Sequence, residues 1–289
     1  MATRVLILGT GLIGASIGLA LKSLGAAFEG EVLGWDPNAA ESAEALRIGA
    51  LDRVLASQED VLALNAADVY VLAAPVLPIL DWMERLAPVL SEGQLVTDVG
   101  STKVVICEKA NALFNQPGRA TFLPGHPMAG KESGGAAIAE ASLFRGATWL
   151  FTSLAEPTPL TLQWQAWIAA FGAVPREIEA LRHDKVCAWV SHLPQMLSTA
   201  FAALLEDSFG EDAAAMEDIR AIGGRALRET TRLGASPYSM WRDIAMTNTQ
   251  PLAATLFALE QHLAHIRENL RTPELREEFR AANRFRSTR

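Results

Sequence analysis

Seven short apolar runs, rich in β-branched residues, punctuate the first 180 positions: 5–8, 32–35, 69–73, 95–98, 121–123, 149–152 and 174–178. Between them lie stretches whose apolar positions recur every three or four residues, the period of a helix with one buried face. Short strand-like runs alternating with helical segments predict βαβ units and a mainly parallel sheet. Beyond residue 180 nothing reads as strand. Residues 182–207 and 252–270 carry long apolar helical patterns, and 272–289 reads as a charged surface helix with a frayed end. The pattern divides the chain into an α/β domain, residues 1–180, and an all-helical domain, residues 181–289. Pro194, inside the first long helical pattern, is expected to kink it and aim His192 or Gln195 inward.

Composition sharpens this division. The 289 residues carry 33 acidic and 25 basic side chains, a net charge of −8. Up to residue 180 there are 19 acidic against 11 basic, and afterwards 14 of each, so the whole excess belongs to the first domain. An acidic chain of this kind is not expected to bind nucleic acid or an anionic membrane. Two cysteines, Cys107 and Cys187, are too few for a disulfide framework and lack metal-ligand spacing. They predict a cytoplasmic protein with no metal site. Residues 5–21 form a 17-residue uncharged run that mimics the apolar core of a signal sequence. Gly9, Gly11, Gly14 and Gly18 within it call for another explanation, and no membrane role is expected.

That explanation is a phosphate-binding turn. Val5-Leu6-Ile7-Leu8 runs into Gly9-Thr10-Gly11-Leu12-Ile13-Gly14 and then a helical pattern. In such a motif the first glycine makes the tight turn, the second lets a pyrophosphate approach the helix N-terminus, and the third lets helix and strand pack closely. Asp36 closes the next strand, 22 residues past Gly14, where a carboxylate would bond the ribose hydroxyls. The first domain is therefore expected to be a Rossmann-type NAD(P)-binding domain. Its cofactor contacts are expected at Gly9, Gly11, Leu12, Ile13, Gly14 and Asp36, with Ala74 and Pro75 after a later strand. A carboxylate at 36 would repel a 2′-phosphate, and Pro37-Asn38-Ala39-Ala40 offers no arginine, so NAD is expected over NADP.

Two more segments placed after strands, read as loops, hold reactive side chains: Asp98-Val99-Gly100-Ser101-Thr102-Lys103 and Gly125-His126-Pro127-Met128-Ala129-Gly130-Lys131-Glu132. With Ser191-His192-Leu193-Pro194, Thr231-Arg232 and Met240-Trp241-Arg242-Asp243-Ile244, they resemble the prephenate and arogenate dehydrogenase family, in order over roughly residues 4–245. The resemblance implies NAD-dependent oxidative decarboxylation of a cyclohexadienol: hydride leaves C4, the ring carboxylate leaves C1 as carbon dioxide, and the ring becomes aromatic. It makes His126 the base that takes the C4 hydroxyl proton, a task suited to an imidazole of pKa near 6.5. It makes Ser101 the residue that orients this histidine and touches the same hydroxyl. Arg232 becomes the bidentate anchor of a substrate carboxylate. Glu132, His183 and Trp241 match polar or aromatic family positions near the substrate, with Glu132 as part of a gate.

The chain departs from the family where Ser-His-Leu-Pro is commonly followed by histidine, because position 195 is Gln195. A neutral amide oxygen accepts a hydrogen bond from an ammonium, which a partly cationic imidazole tolerates poorly. This leans toward arogenate, alone or alongside prephenate. Arg220, Arg225, Arg228 and Arg242 read as a solvated face, and His192 as a packed helix residue. A rival reading is a β-hydroxyacid dehydrogenase using Lys185, although Val186-Cys187-Ala188-Trp189 supply no amide beside it. Another is a non-catalytic NAD-binding regulatory module, which would not need Ser101, His126 and Arg232 together. The helical domain carries more apolar surface than one sheet edge covers, which predicts a homodimer through residues 181–289.

Overall fold

A computed structural model describes residues 3–63, 66–131 and 133–287. The chain begins with β1 (Thr3–Leu8), α1 (Leu12–Ser23), β2 (Gly30–Trp35) and α2 (Ala39–Arg47), followed by β3 (Arg53–Val54) and the short α3 (Gln58–Val61). It continues through β4 (Val69–Leu72), α4 (Val76–Leu86), β5 (Leu95–Asp98), α5 (Val104–Leu113) and β6 (Thr121–Leu123). These six strands form one all-parallel sheet in the order β3-β2-β1-β4-β5-β6. This is the doubly wound order that reverses beside β1, and the cleft past the strand carboxyl ends there is where such sheets bind ligands. One apolar core packs on each face. Val5, Ile7, Ile17 and Val71 belong to the first, and Leu6, Leu8, Tyr70 and Ile79 to the second. Successive residues of one strand enter opposite cores, so the central strands read as continuous apolar runs.

The last two apolar runs do not join this sheet. β7 (Gly125–Pro127), β8 (Thr148–Phe151) and β9 (Val174–Glu177) form a second, three-stranded sheet, with α6 (Pro159–Ala170) between β8 and β9. β7 pairs antiparallel with β8, and His126 lies opposite Leu150. The histidine therefore stands on a strand held by a neighbour, where the sequence reading expected a loop. β3 and β7 escape sequence reading because two or three residues are too few to show a period.

The remainder is helical: α7 (Ala180–Cys187), α8 (Leu193–Phe209), α9 (Ala213–Ile222), α10 (Gly224–Thr231), α11 (Tyr238–Thr247), α12 (Thr249–Glu268) and α13 (Glu274–Ser287). No described residue beyond Glu177 is in a strand. α7 and α8 run on through a π-helical turn, Ala188–His192, in which Leu193 N–H bonds back to Ala188 O. Pro194 sits in the first turn of α8. A proline has no N–H for the usual bond and its ring crowds the carbonyl four residues back, so widening the turn before it relieves both conflicts. His192 and Gln195 are buried, as the inward aim predicted. No helix among the described residues is long and apolar enough to cross a membrane.

The helical part docks on the cofactor part through polar contacts at the strand ends. Asp243 on α11 accepts from Leu77 N at the start of α4 (3.2 Å), and Thr247 Oγ1 lies 2.9 Å from Thr102 Oγ1. Asp184 on α7 accepts from Lys103 N and Val104 N at the start of α5, at 2.7 and 3.0 Å.

Candidate active site

The glycine turn has the geometry its motif requires. Gly9 has φ +97°, and a Cβ there would lie 2.2 Å from Ala73 O. A Cβ on Gly14 would lie 1.9 Å from Gly9 O, whereas one on Gly11 would meet nothing within 4 Å. Gly9 and Gly14 are thus bound to the fold, and Gly11 opens toward the ligand side. Gly11 also N-caps α1 without any side-chain capping bond, leaving the helix end available to an anion. Asp36 braces the turn from the end of β2: Oδ2 accepts from Thr10 N at 2.7 Å and Oδ1 from Asn38 N at 2.8 Å. Each oxygen keeps a lone pair for a ribose hydroxyl. The donor set, the open position at Gly11 and the uncapped helix all fit a dinucleotide.

A cleft of about 650 Å³ joins this turn to the helical part. Its walls include Gly11, Leu12, Ile13, Ala74 and Pro75 on the cofactor side, Ser101 and His126 in the middle, and Ser191, Ser236 and Trp241 on the helical side. A smaller cavity of about 350 Å³, beside β6 and α6, holds none of the expected site residues.

His126 lines the cleft yet is buried, with Nδ1 2.8 Å from His183 Nε2. His183 Nδ1 lies 2.8 Å from Asp184 Oδ1. Behind these, Lys103 is fully buried and donates to Asp98 Oδ2 at 2.5 Å. Asp98 also accepts from Gly100 N and Gly125 N, tying the Ser101 loop to the histidine strand. Burial, then the neighbouring His183 and Lys103, hold the His126 pKa well below 6.5, so the ordinary value expected from the sequence does not apply. Burial likewise lowers His183 against the opposing pull of Asp184, and lowers His192 to about 4. The partner of the His126 ring is His183. Among the described residues Ser101 shares the cleft wall without bonding to the ring, so the expected orienting contact is supplied from elsewhere.

Cys187 lies near enough to His126 and His183 for one ligand atom from each to meet on a metal ion. In this structure the two imidazoles bond one another, and burial pushes the Cys187 thiol up to about 12.

Several expected residues fall elsewhere. The Gln195 amide is occupied within the protein: Nε2 donates to Leu233 O at 2.6 Å and to Thr199 Oγ1 at 3.2 Å, and Oε1 accepts from Ser236 Oγ at 3.2 Å. It braces α8 against residues 233–236 and is not among the cleft-lining residues, so the amide groups on which the lean toward arogenate rests are engaged within the protein. Arg232 is exposed at the start of a 3-10 turn, Arg232–Ala235, that leads to Ser236 and Pro237 in the cleft wall. Trp241 lines the cleft, and its buried indole N–H has no partner among the described residues. Glu132 lies outside the described residues. Lys185, on which the β-hydroxyacid reading depends, is exposed and away from the cleft. Arg220, Arg225 and Arg228 are solvent-exposed, and Arg242 pairs with Asp243. His192 is packed: Asn248 Nδ2 lies 3.1 Å from its Nδ1 and 2.9 Å from Asp184 O. Sequence reasoning missed Asp184, Asn248 and Lys103. The first was signalled only by the dipeptide His183-Asp184.

Comparison with known proteins agrees with this layout. Residues 17–169 match the family model described as prephenate dehydrogenase, nucleotide-binding domain. Residues 179–283 match that of the prephenate dehydrogenase dimerization domain. A prephenate dehydrogenase of Lactococcus lactis subsp. cremoris is 31% identical over 264 residues, covering 91% of this chain and 70% of that protein. The structure of prephenate dehydrogenase from A. aeolicus, in complex with hydroxyphenyl propionate and NAD+, superposes with a TM-score of 0.86 at 27% identity, covering 100% of this chain and 98% of that one. Synechocystis arogenate dehydrogenase gives a TM-score of 0.74 at 27% identity, with 99% of each chain covered. The chain belongs to the prephenate dehydrogenase family.

Proposed function

We propose that this chain catalyses the oxidative decarboxylation of prephenate, arogenate or both, with NAD as hydride acceptor. The observation that carries the proposal is a histidine held neutral in the wall of a cleft that joins the glycine turn to the helical part. The hydroxyphenyl propionate bound by the A. aeolicus relative, a phenol with a carboxylate chain, has the form of such a reaction's product.

NAD, when bound, supplies the hydride acceptor, held by Gly11, Leu12 and Ile13 at the α1 end, by Asp36, and by Ala74 and Pro75. The neutral His126 takes the C4 hydroxyl proton as hydride leaves that carbon. The C1–carboxylate electrons enter the ring, carbon dioxide departs, and aromatisation drives the step. Ser101 hydrogen-bonds the same hydroxyl from across the cleft wall. The indole N–H of Trp241 donates to a substrate oxygen, which would end its isolation. Arg232 grips a carboxylate where the 3-10 turn meets the cleft. Replacing Asp36 by serine is expected to improve NADP use relative to NAD.

The proposal extends to assembly and place. The helical part, residues 181–289, pairs two copies into a homodimer, supported by the exposed Trp189, Leu204 and Phe257. The domain division at residue 180 falls close to the start of the second matched family segment, which begins at residue 179. Two buried free thiols, Cys107 and Cys187, accord with a cytoplasmic enzyme.

The test is NADH formation with prephenate and arogenate side by side, for wild type and His126→Asn. The variant is expected to lose turnover by roughly two to four orders of magnitude while still binding NAD. Unimpaired turnover would refute the role of His126, and no NADH with either substrate would refute the proposed activity.

A further inference from the structure

We infer that His183 and Asp184 are positioning residues that lock His126 into the tautomer with its Nε2 lone pair free for the substrate proton. The inference rests on the reading of His126 as the base. It follows from hydrogen-bond direction. Lys103 N and Val104 N only donate, and they reach Asp184 Oδ1 and Oδ2 respectively, at 2.7 and 3.0 Å. Both carboxylate oxygens are therefore acceptors, and His183 Nδ1, 2.8 Å from Oδ1, must carry the proton and donate it. A neutral imidazole has one N–H, so His183 Nε2 is left bare and accepts. His126 Nδ1, 2.8 Å away, must then be the donor, which leaves His126 Nε2 unprotonated. The Cys187 thiol, 3.6 Å from His183 Nε2, is a further donor to the same bare nitrogen and fits the same direction.

The chain spans the two halves of the molecule. Asp184 and His183 belong to α7, whereas the two backbone donors that orient the carboxylate begin α5, and His126 stands on β7. Docking of the helical part on the cofactor part thus sets the tautomer of the base. After proton transfer the imidazolium of His126 is stabilised through His183 by the carboxylate, which need not itself take the proton. The charged and titratable groups around the chain are Lys103, Asp98, His192 and Cys187, with Lys103 ion-paired to Asp98.

The experiment compares His183→Gln, His183→Phe and Asp184→Asn in the full-length enzyme. A glutamine oxygen accepts from His126 Nδ1, so this variant keeps kcat within about tenfold of wild type. Phenylalanine offers no acceptor and lowers kcat by about a hundredfold or more, with the Kd for NAD unchanged. Asparagine has one acceptor oxygen for three donors, so His183 turns its chain around and kcat falls at least as far. Nitrogen-15 NMR of wild type shows His126 protonated on Nδ1, and Asp184→Asn moves that proton to Nε2. A His183→Phe enzyme within threefold of wild-type kcat, or an Nε2–H signal in wild type, overturns the inference. The spectrum of wild type decides the matter even where Asp184→Asn does not fold. Retained turnover in His126→Asn would instead overturn the reading of the base itself.

Discussion

The two halves of the molecule bury their helices very differently. α1 buries eight of its twelve residues against the parallel sheet, while α8 buries two of seventeen, Gln195 and Ser198. Every buried member of the two apolar cores lies at or before residue 173. In the helical part much of what is buried is polar: His183, Asp184, His192, Gln195, Asp243 and Asn248. The cofactor part is held by its own apolar burial. The helical part is held by hydrogen bonds to that frame and, under the proposed dimer, by a second copy. This placement serves the chemistry, because the polar seam runs beside the cleft and meets it at His126, which bonds to His183.

The largest effect expected from this contrast is on the cofactor part. Phe144 is fully buried in the first core against Trp149 and Phe171. Phe144→Ala should cost about 3–5 kcal/mol in denaturant unfolding, the usual range for emptying an aromatic site. Phe257→Ala on α12, 63% exposed, should change the chain's own stability by no more than about 0.5 kcal/mol. Equal losses for the two would break the comparison.

The same contrast explains what the sequence disclosed. β1, β2, β4, β5 and β6 were legible because a buried parallel strand is a continuous apolar run, and the glycine turn because steric demands at Gly9 and Gly14 are local. The second sheet was not, since pairing of β7 with β8 joins segments more than twenty residues apart. His126 was found through its motif, but its low pKa was not, because burial comes from the fold. Asp184 was missed because its meaning lies in α5, 81 residues away in the chain. Gln195 was read as facing substrate for the same reason: the partners that occupy its amide come from residues 233 and 236. Apolar cores announce themselves by period, whereas polar seams depend on partners that no local pattern names.

A second, smaller effect probes the seam. His192 is buried and its pKa is lowered to about 4, chiefly by burial. The unfolded chain, with an ordinary value near 6.5, binds a proton between these two pH values that the folded chain does not. Stability therefore falls as pH drops through that window and is fully present above it. The loss from this residue alone is on the order of 3 kcal/mol by pH 4. His126 and His183 are shifted in the same direction and add to it. Urea unfolding at a series of pH values should show a shallower acid slope for His192→Gln, whose amide oxygen still accepts from Asn248. An unchanged slope would remove His192 from the account.

The smallest effect on the chain's own fold is expected on the outer face of α8, where the consequence for assembly is largest. Leu197 and Leu204, 42% and 60% exposed, stand seven residues apart and so share one face of the helix. An arginine at 204 costs a solvent-facing monomer almost nothing, within about 0.5 kcal/mol. In a dimer the same change buries an unpaired cation in an apolar interface, which is strongly unfavourable. Light scattering should therefore give twice 31.1 kDa for wild type and 31.1 kDa for Leu204→Arg at micromolar concentration. Circular dichroism of the variant should remain that of a folded protein. The melting temperature of wild type should rise with protein concentration, and that of the variant should not. A Leu204→Arg protein that stays dimeric would show that this face does not meet the second copy. The sparse burial of α8 would then need a cover other than its own twin, and the contrast between the halves would lose its explanation in assembly while keeping its basis in packing.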